Sequence, residues 1–295
     1  MTAAQLHPGP AGTGASWAAA VAATAALLFV AAYLLAAARL RRRGDAWPRL
    51  RDVSFAAGGA AVAWAAAGTL PGGPFTVHMG RHLLVGMAAP LLLVLARPLT
   101  LALRALPPGP VRRVLPAAAH SRTAGRLLFP PVAALLDIGG LWLLYRTPLW
   151  AAAQHRPLLH ILLYGHVLAA GLLFTFAVCR LDPVRRRWGL PLRGGTLLAA
   201  GAAHAVLAKT LYSTPPPGTG PTTADLHAGA LLMYYGGDLV ELALAVALAT
   251  QWYAASGRTA ALTRSGRACG GHGRWGDARA RPRGERPQRP VRRET

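Results

Sequence analysis

Seven long apolar segments constrain this chain more than any other feature of its sequence. Each approaches the roughly 20 residues that cross a hydrocarbon core about 30 Å thick. The segments cover residues 15–38, 52–70, 75–96, 127–145, 157–179, 192–212 and 226–252. Helices are the only open-chain structures that satisfy their backbone within a bilayer. The sequence therefore predicts an all-α, seven-helix transmembrane bundle over residues 15–254.

The charge balance agrees with a membrane protein rather than a soluble one. The chain is 53% hydrophobic and only 14% charged, yet it carries a net charge of +22. A soluble domain usually has about a quarter of its residues charged. No basic stretch lies within a soluble fold, so we expect no nucleic-acid partner. The two cysteines, Cys179 and Cys269, form no CxxC pair.

Arginines alternate between the connecting loops and so predict an orientation. The first, third and fifth loops carry six, six and five arginines, and eleven follow Tyr253. The other loops carry two or none. By the positive-inside rule, the N-terminal arm (1–14) lies outside and the tail (255–295) lies in the cytoplasm. We expect a multi-pass protein of the cytoplasmic membrane, in contact with its lipids, with a disordered basic tail.

With this orientation, seven of the ten histidines lie at the outer face or in the outer half of the membrane. Polar side chains at such depth usually face a bundle interior or a wet cavity. His78 and His82 are four residues apart, so they share one face of a helix. Each histidine has two interpretations, as a helix-packing residue or as a metal ligand.

Methionines accompany these histidines on the third and seventh segments. Imidazole suits copper, and thioether sulfur selects Cu(I). We therefore hypothesise an outward-facing copper site on several helices. The candidate ligands are His78, Met79, His82, His166, His204 and His227.

Four acidic residues also lie in or beside the membrane segments. Asp137, Asp238 and Glu241 are deep, where they could orient a ligand histidine, relay protons or stay protonated and join helices. Asp225 heads the seventh segment, and we expect it to cap the helix that starts there. Phosphate-binding, nucleophile-elbow and zinc-protease motifs are absent from the sequence, so we expect no enzyme.

The stretch FTVHMGRHLLVGMAAPLLLVLARP resembles the signature of the CtaG-like cytochrome c oxidase assembly proteins, which are multi-helix bacterial membrane proteins. The matching residues are His78, Met79, His82, Pro90, Leu91, Leu92 and Pro98. HILLYGHVLAAGLLFTF and DLHAGALLMYYGG are similar to two further motifs of that family. The resemblance covers roughly residues 50–255. It implies a role in oxidase maturation, with oxidase subunits as partners and copper as the metal delivered.

Three other functions remain open from the residues. A haem or quinone oxidoreductase would use two histidines on separate helices as axial ligands. A copper transporter would need ligands that continue to the inner face, where only Cys179 lies. A scaffold would hold oxidase subunits and bind no metal.

Overall fold

The structure is a computed structural model that describes residues 11–182 and 188–270. Throughout these two ranges the regular structure is helical, which confirms the predicted all-α class. The chain divides into two units, Met1–Thr250 and Gln251–Thr295, and the contacts discussed below lie within the first. Most of the predicted arm (1–14), and residues 271–295 of the predicted tail (255–295), lie outside the described residues, so this division of the chain stays a prediction.

Thirteen α-helices and two π-helical segments follow one another in these ranges. They are α1 (Ala11–Arg42), α2 (Arg49–Ala67), α3 (Pro74–His82), a π-helical segment (Leu83–Ala88), α4 (Ala89–Leu95), α5 (Pro98–Ala105), α6 (Pro110–Ala119), α7 (Arg122–Leu127), α8 (Pro130–Ala134), a second π-helical segment (Leu135–Gly139), α9 (Gly140–Arg146), α10 (Leu149–His155), α11 (Pro157–Cys179), α12 (Leu190–Ser213) and α13 (Thr223–Gly270).

Prolines start many of these helices. Pro74, Pro98, Pro110, Pro130 and Pro157 each stand in the first turn of a helix. A proline ring fixes φ near the helical value, and its missing N–H would have no partner in the first turn anyway. The prolines in the sequence therefore mark where several of these helices begin.

Among the described residues, four helices are long and apolar enough to cross a membrane. They are Trp17–Arg42, Pro74–Leu95, Pro157–Cys179 and Thr223–Ala254. Pro130–Arg146 and Leu149–His155 make a fifth if this pair, bent by 77°, is one span. The predicted segments 52–70 and 192–212 coincide with α2 and α12. These two helices are long enough to be spans, but they are less apolar than the four above. The structure thus supports four or five spans and does not confirm seven.

Both π-helical segments interrupt predicted membrane segments beside polar residues. Leu83–Ala88 begins directly after His82, and Leu135–Gly139 contains Asp137. Single π-turns inside α-helices are frequent at functional sites. The apolar periodicity does not predict either segment.

A single large core joins the elements around α3. Its largest fully buried members include Phe75, Met79, Tyr145, Leu207 and Met233. A smaller core lies between α1, α2 and α5, where Tyr33 stacks on Phe55 at 3.9 Å between ring centroids. The Tyr33 hydroxyl there donates a 2.8 Å hydrogen bond to the Ala96 carbonyl.

Large apolar side chains also point outward from the spanning helices. Phe29 of α1 is 71% exposed and Leu239 of α13 is 69% exposed. An apolar surface of this kind on a soluble monomer would mark an interaction site. On helices of spanning length it matches contact with lipid.

Asp225 holds the start of α3 in place. Its carboxylate accepts hydrogen bonds from the backbone N–H groups of Phe75 and Thr76, both at 2.9 Å, and from the Thr76 hydroxyl at 2.7 Å. The expectation that Asp225 caps its own helix is wrong, because Thr222 takes that place: its hydroxyl accepts from the Asp225 N–H at 3.3 Å. Asp225 instead fixes α3, and hence the histidines that follow, against α13.

The backbone of α11 touches the first π-helical segment at Gly171. A Cβ atom at this position would lie 2.1 Å from the Gly86 carbonyl oxygen. Backbone cannot move aside as a flexible side chain can, so the two elements approach this closely only because residue 171 is glycine.

Replacing Gly171 with alanine should therefore destabilise the protein. We expect a loss of about 1–3 kcal/mol in the free energy of unfolding, the usual cost of overpacking a core. The measurement is thermal unfolding of the purified protein in mild detergent. Gly165→Ala on the same helix is the matched control, since a Cβ there meets nothing within 4 Å. Equal melting temperatures for the two variants would contradict the close contact.

Candidate functional site

The candidate site lies where α3 meets α9, α11, α12 and α13. His78 and His82 both line one cavity of about 20 Å³, together with Tyr145, Trp150 and His160. The prediction that the two histidines share a helix face and converge on one object agrees with this placement. A cavity of this size has room for one water molecule or one ion.

His78 is held by two tyrosines. Its Nε2 lies 3.0 Å from the Tyr145 hydroxyl, and its Nδ1 lies 3.4 Å from the Tyr164 hydroxyl. The Trp150 ring is tilted against it at 4.9 Å between centroids. A neutral imidazole has one donor and one acceptor, and a hydroxyl can serve as either. The polar atoms of His78 are therefore satisfied.

His82 and His204 differ sharply from His78. The two side chains are 4% and 1% exposed, and their ring centroids are 6.2 Å apart. Within the described part of the chain, none of their four ring nitrogens has a hydrogen-bond partner. Buried polar groups are nearly always paired, so two adjacent imidazoles without partners require an explanation.

Carboxyl groups lie close to His204. Glu241 Oε1 lies 3.5 Å from His204 Nδ1, outside hydrogen-bond geometry. Asp238 is close enough to His204 and Glu241 for electrostatic interaction, and Asp137 is close enough to Glu241. The three deep acids noted in the sequence thus form a chain of neighbours that reaches His204 through Glu241 and Asp238.

Two glycines make room for this group. A Cβ at Gly237 would lie 2.2 Å from His204 Cε1, and one at Gly201 would lie 2.3 Å from Glu241 Oε2. Gly237 thus leaves space for the His204 ring, whereas at residue 201 a Cβ would meet the flexible end of the Glu241 side chain.

The other predicted ligands lie elsewhere. Met79 is fully buried in the large core. His166 is exposed, and its Nε2 donates to the Leu136 carbonyl at 3.2 Å. His227 stacks on Tyr212 at 4.0 Å between centroids. Within residues 11–182 and 188–270, no three His, Cys, Asp or Glu side chains are grouped so that they could hold a metal ion.

The sequence reasoning missed the aromatic residues of the site. Tyr145 lies on α9 and Trp150 on α10, on either side of the 77° bend, and Tyr164 lies on α11. His160 also lines the cavity, and its ring lies 4.7 Å from that of Tyr164. The spacing of His160 and Tyr164, four residues apart on a helix, was the one available signal.

Chemically, the site combines two kinds of group. The ring nitrogens of His82 and His204 offer lone pairs in a place that water barely reaches. Glu241 supplies carboxyl oxygens beside His204. Such a combination suits a small cation better than an anion or a large organic molecule.

Comparison with known proteins gives a family. The family model described as "Cytochrome c oxidase caa3 assembly factor (Caa3_CtaG)" matches residues 31–255. This confirms the resemblance noted from the motifs. No solved structure matches the chain.

Curated relatives come from mycobacteria. Uncharacterized proteins of Mycobacterium bovis and Mycobacterium tuberculosis are each 33% identical over 249 residues, which is 77% of this chain. One from Mycobacterium leprae is 31% identical over 254 residues, or 79% of this chain. The match spans only 38% of the length of each of these relatives.

Proposed function

Because the chain belongs to the cytochrome c oxidase caa3 assembly factor family, we propose that it serves oxidase maturation by handing copper to the enzyme. Copper is the cargo in this proposal and not a resident cofactor. The protein would accept one ion in the outer half of the membrane and release it to a copper-bearing oxidase subunit. It would catalyse no covalent step.

The facing pair His82 and His204 carries this proposal. Leaving a buried donor or acceptor unpaired costs about 1–3 kcal/mol. An ion bound between the two rings, whose centroids are 6.2 Å apart, would give one nitrogen of each ring a partner. Cu(I) accepts as few as two ligands, and imidazole is among those it takes. Two histidines without a third ligand therefore suit Cu(I).

Local charge favours a cation at this pair. Arg81 carries a positive charge near the cavity mouth, where it acts on His160 and Tyr164. Glu241, with Asp238 and Asp137 beside it, lies on the far side of His204. These carboxylates offset the repulsion from Arg81 and would orient the His204 ring.

The small cavity suggests a route to the pair. It runs along His160, His78 and His82, so each imidazole could pass an ion to the next. At about 20 Å³ it has no room for a haem macrocycle, which favours an ion over the oxidoreductase alternative. Of the six ligands predicted from the sequence, we assign the primary roles to His82 and His204. His78 would be a transit contact. The burial of Met79 in the core, the hydrogen bond of His166 and the ring stacking of His227 point to packing.

The proposed setting is a seven-span protein of the cytoplasmic membrane with its N-terminus outside. This requires α2 and α12 to cross the bilayer in addition to the five stronger spans. The arginine alternation of the loops supports it. The histidine pair then faces the side on which the oxidase copper centres would be loaded.

Single cysteines can test these two spans in a Cys179→Ala/Cys269→Ala background. We expect Thr69→Cys and Thr214→Cys to react with a membrane-impermeant maleimide on intact cells. Asp45→Cys and Gly189→Cys, at the other ends of α2 and α12, should react only after permeabilisation. Labelling of both ends of either helix from one side would contradict that span.

Copper binding is tested with two matched double variants. We expect the full-length protein in mild detergent to bind about one Cu(I) per chain under reducing conditions. His82→Asn/His204→Asn should lose this copper, and oxidase activity and oxidase copper in the membranes should fall with it. His166→Asn/His227→Asn removes the same number of imidazoles and should change neither.

Other outcomes would replace the proposal. Equal copper binding by both variants, or none by the unaltered protein, would contradict a site at His82 and His204. A Soret band in the purified protein would indicate a haem protein instead. Loss of oxidase without copper binding by the unaltered protein would indicate a scaffold. A fall in membrane abundance of the His82→Asn/His204→Asn variant would make the pair structural.

A further inference from the structure

A second and larger cavity lies where α11 ends and α7 begins. Its volume is about 450 Å³, within the range of small-molecule sites. We propose that it binds a phosphate group, carried either by an anionic membrane lipid or by a soluble phosphate compound. The cavity shares no lining residue with the histidine cavity, so this inference is independent of copper delivery.

The polar wall of the cavity is basic. It consists of His120, Ser121, Arg122, Arg126 and Arg180. Among the described residues that line the cavity, none is Asp or Glu. Three arginines thus bring positive charge to a concave space. Arginine is the side chain best matched to phosphate, because its planar fork donates two parallel hydrogen bonds.

Apolar side chains also line the cavity. Phe176, Leu128 and Trp188 are among them, and the Trp188 ring also packs on Phe129 at 4.7 Å between centroids. A cavity lined by both arginines and aromatic rings matches a ligand with an anionic head and a less polar body. It does not match a bare metal cation, which three arginines would repel.

The cavity is held together by bonds among its own residues. Arg180 Nη1 donates to the Trp188 carbonyl at 3.2 Å, which ties the end of α11 to the segment before α12. The His120 Nδ1 donates to the Pro116 carbonyl at 2.6 Å. Ser121 Oγ accepts from the Ala124 N–H at 3.0 Å, so its hydroxyl proton remains to be donated.

The proposed orientation places this cavity at the cytoplasmic face. Basic pockets between membrane helices on that side commonly bind anionic lipid headgroups. The arginine-rich third and fifth loops, which supply Arg122, Arg126 and Arg180, would then serve recognition as well as topology.

The test compares two pairs of arginines in the full-length protein, stripped of lipid in mild detergent. Arg122→Ala/Arg126→Ala removes two cavity guanidiniums. Arg112→Ala/Arg113→Ala removes two exposed arginines from neighbouring α6 that do not line the cavity. Binding of short-chain phosphatidylglycerol, short-chain phosphatidylcholine and inorganic pyrophosphate is titrated against each protein by native mass spectrometry.

We expect the unaltered protein and the α6 variant to bind a phosphate probe equally well. The cavity variant should bind roughly tenfold more weakly or worse, since each charge-assisted hydrogen bond is worth at least that factor. Preference for phosphatidylglycerol over phosphatidylcholine, with little displacement by pyrophosphate, would identify a lipid. Tight pyrophosphate binding with no lipid preference would identify a soluble phosphate compound.

Two results would overturn the proposal. One is the absence of binding of any probe to the unaltered protein. The other is an equal loss in both arginine pairs, which would show that only overall charge matters. If the alanine variant does not fold, Arg122→Lys/Arg126→Lys keeps the positive charge but removes the planar guanidinium with its two parallel N–H donors. It should still weaken binding by several-fold, and unchanged binding would contradict recognition by the guanidinium groups.

Discussion

Inside a bilayer a polar side chain cannot hydrogen-bond to water. It must therefore form its hydrogen bonds within the protein or bind a ligand. The surroundings of α3 show how that requirement is met. Asp225 accepts hydrogen bonds from the free N–H groups at the start of α3. His78 forms hydrogen bonds with two tyrosine hydroxyls. His82 and His204 remain, facing each other without hydrogen-bond partners among the described residues. The proposed function depends on this pair.

The arrangement around the pair depends on a few close contacts. Gly171 lets α11 touch the π-helical segment after His82, and Gly237 lets α13 pass the His204 ring. Asp225 fixes the start of α3, one turn before His78. Together these contacts bring imidazoles from α3 and α12 to within 6.2 Å, although 122 residues separate them in sequence.

The sequence was sufficient for the helical class, the family and the convergence of His78 and His82, because these follow from apolar run length, motif residues and helical spacing. It also supplied His204 and Glu241 as deep polar residues, but not their pairing, which depends on how α12 and α13 pack. The π-helical segments and the role of Asp225 were missed, since neither leaves a mark in hydrophobic periodicity. Of the seven predicted spans, the described residues support four or five, because alanine- and glycine-rich α2 and arginine-containing α12 are only weakly apolar.

X-ray absorption at the copper edge tests the central claim most directly. The purified full-length protein would be loaded with one equivalent of Cu(I) under reducing conditions. The account predicts a first shell of two imidazole nitrogens at about 2 Å, a distance typical of histidine ligands, and loss of the outer imidazole scattering in His82→Asn/His204→Asn. A shell dominated by sulfur, or an imidazole signal unchanged in that variant, would contradict it.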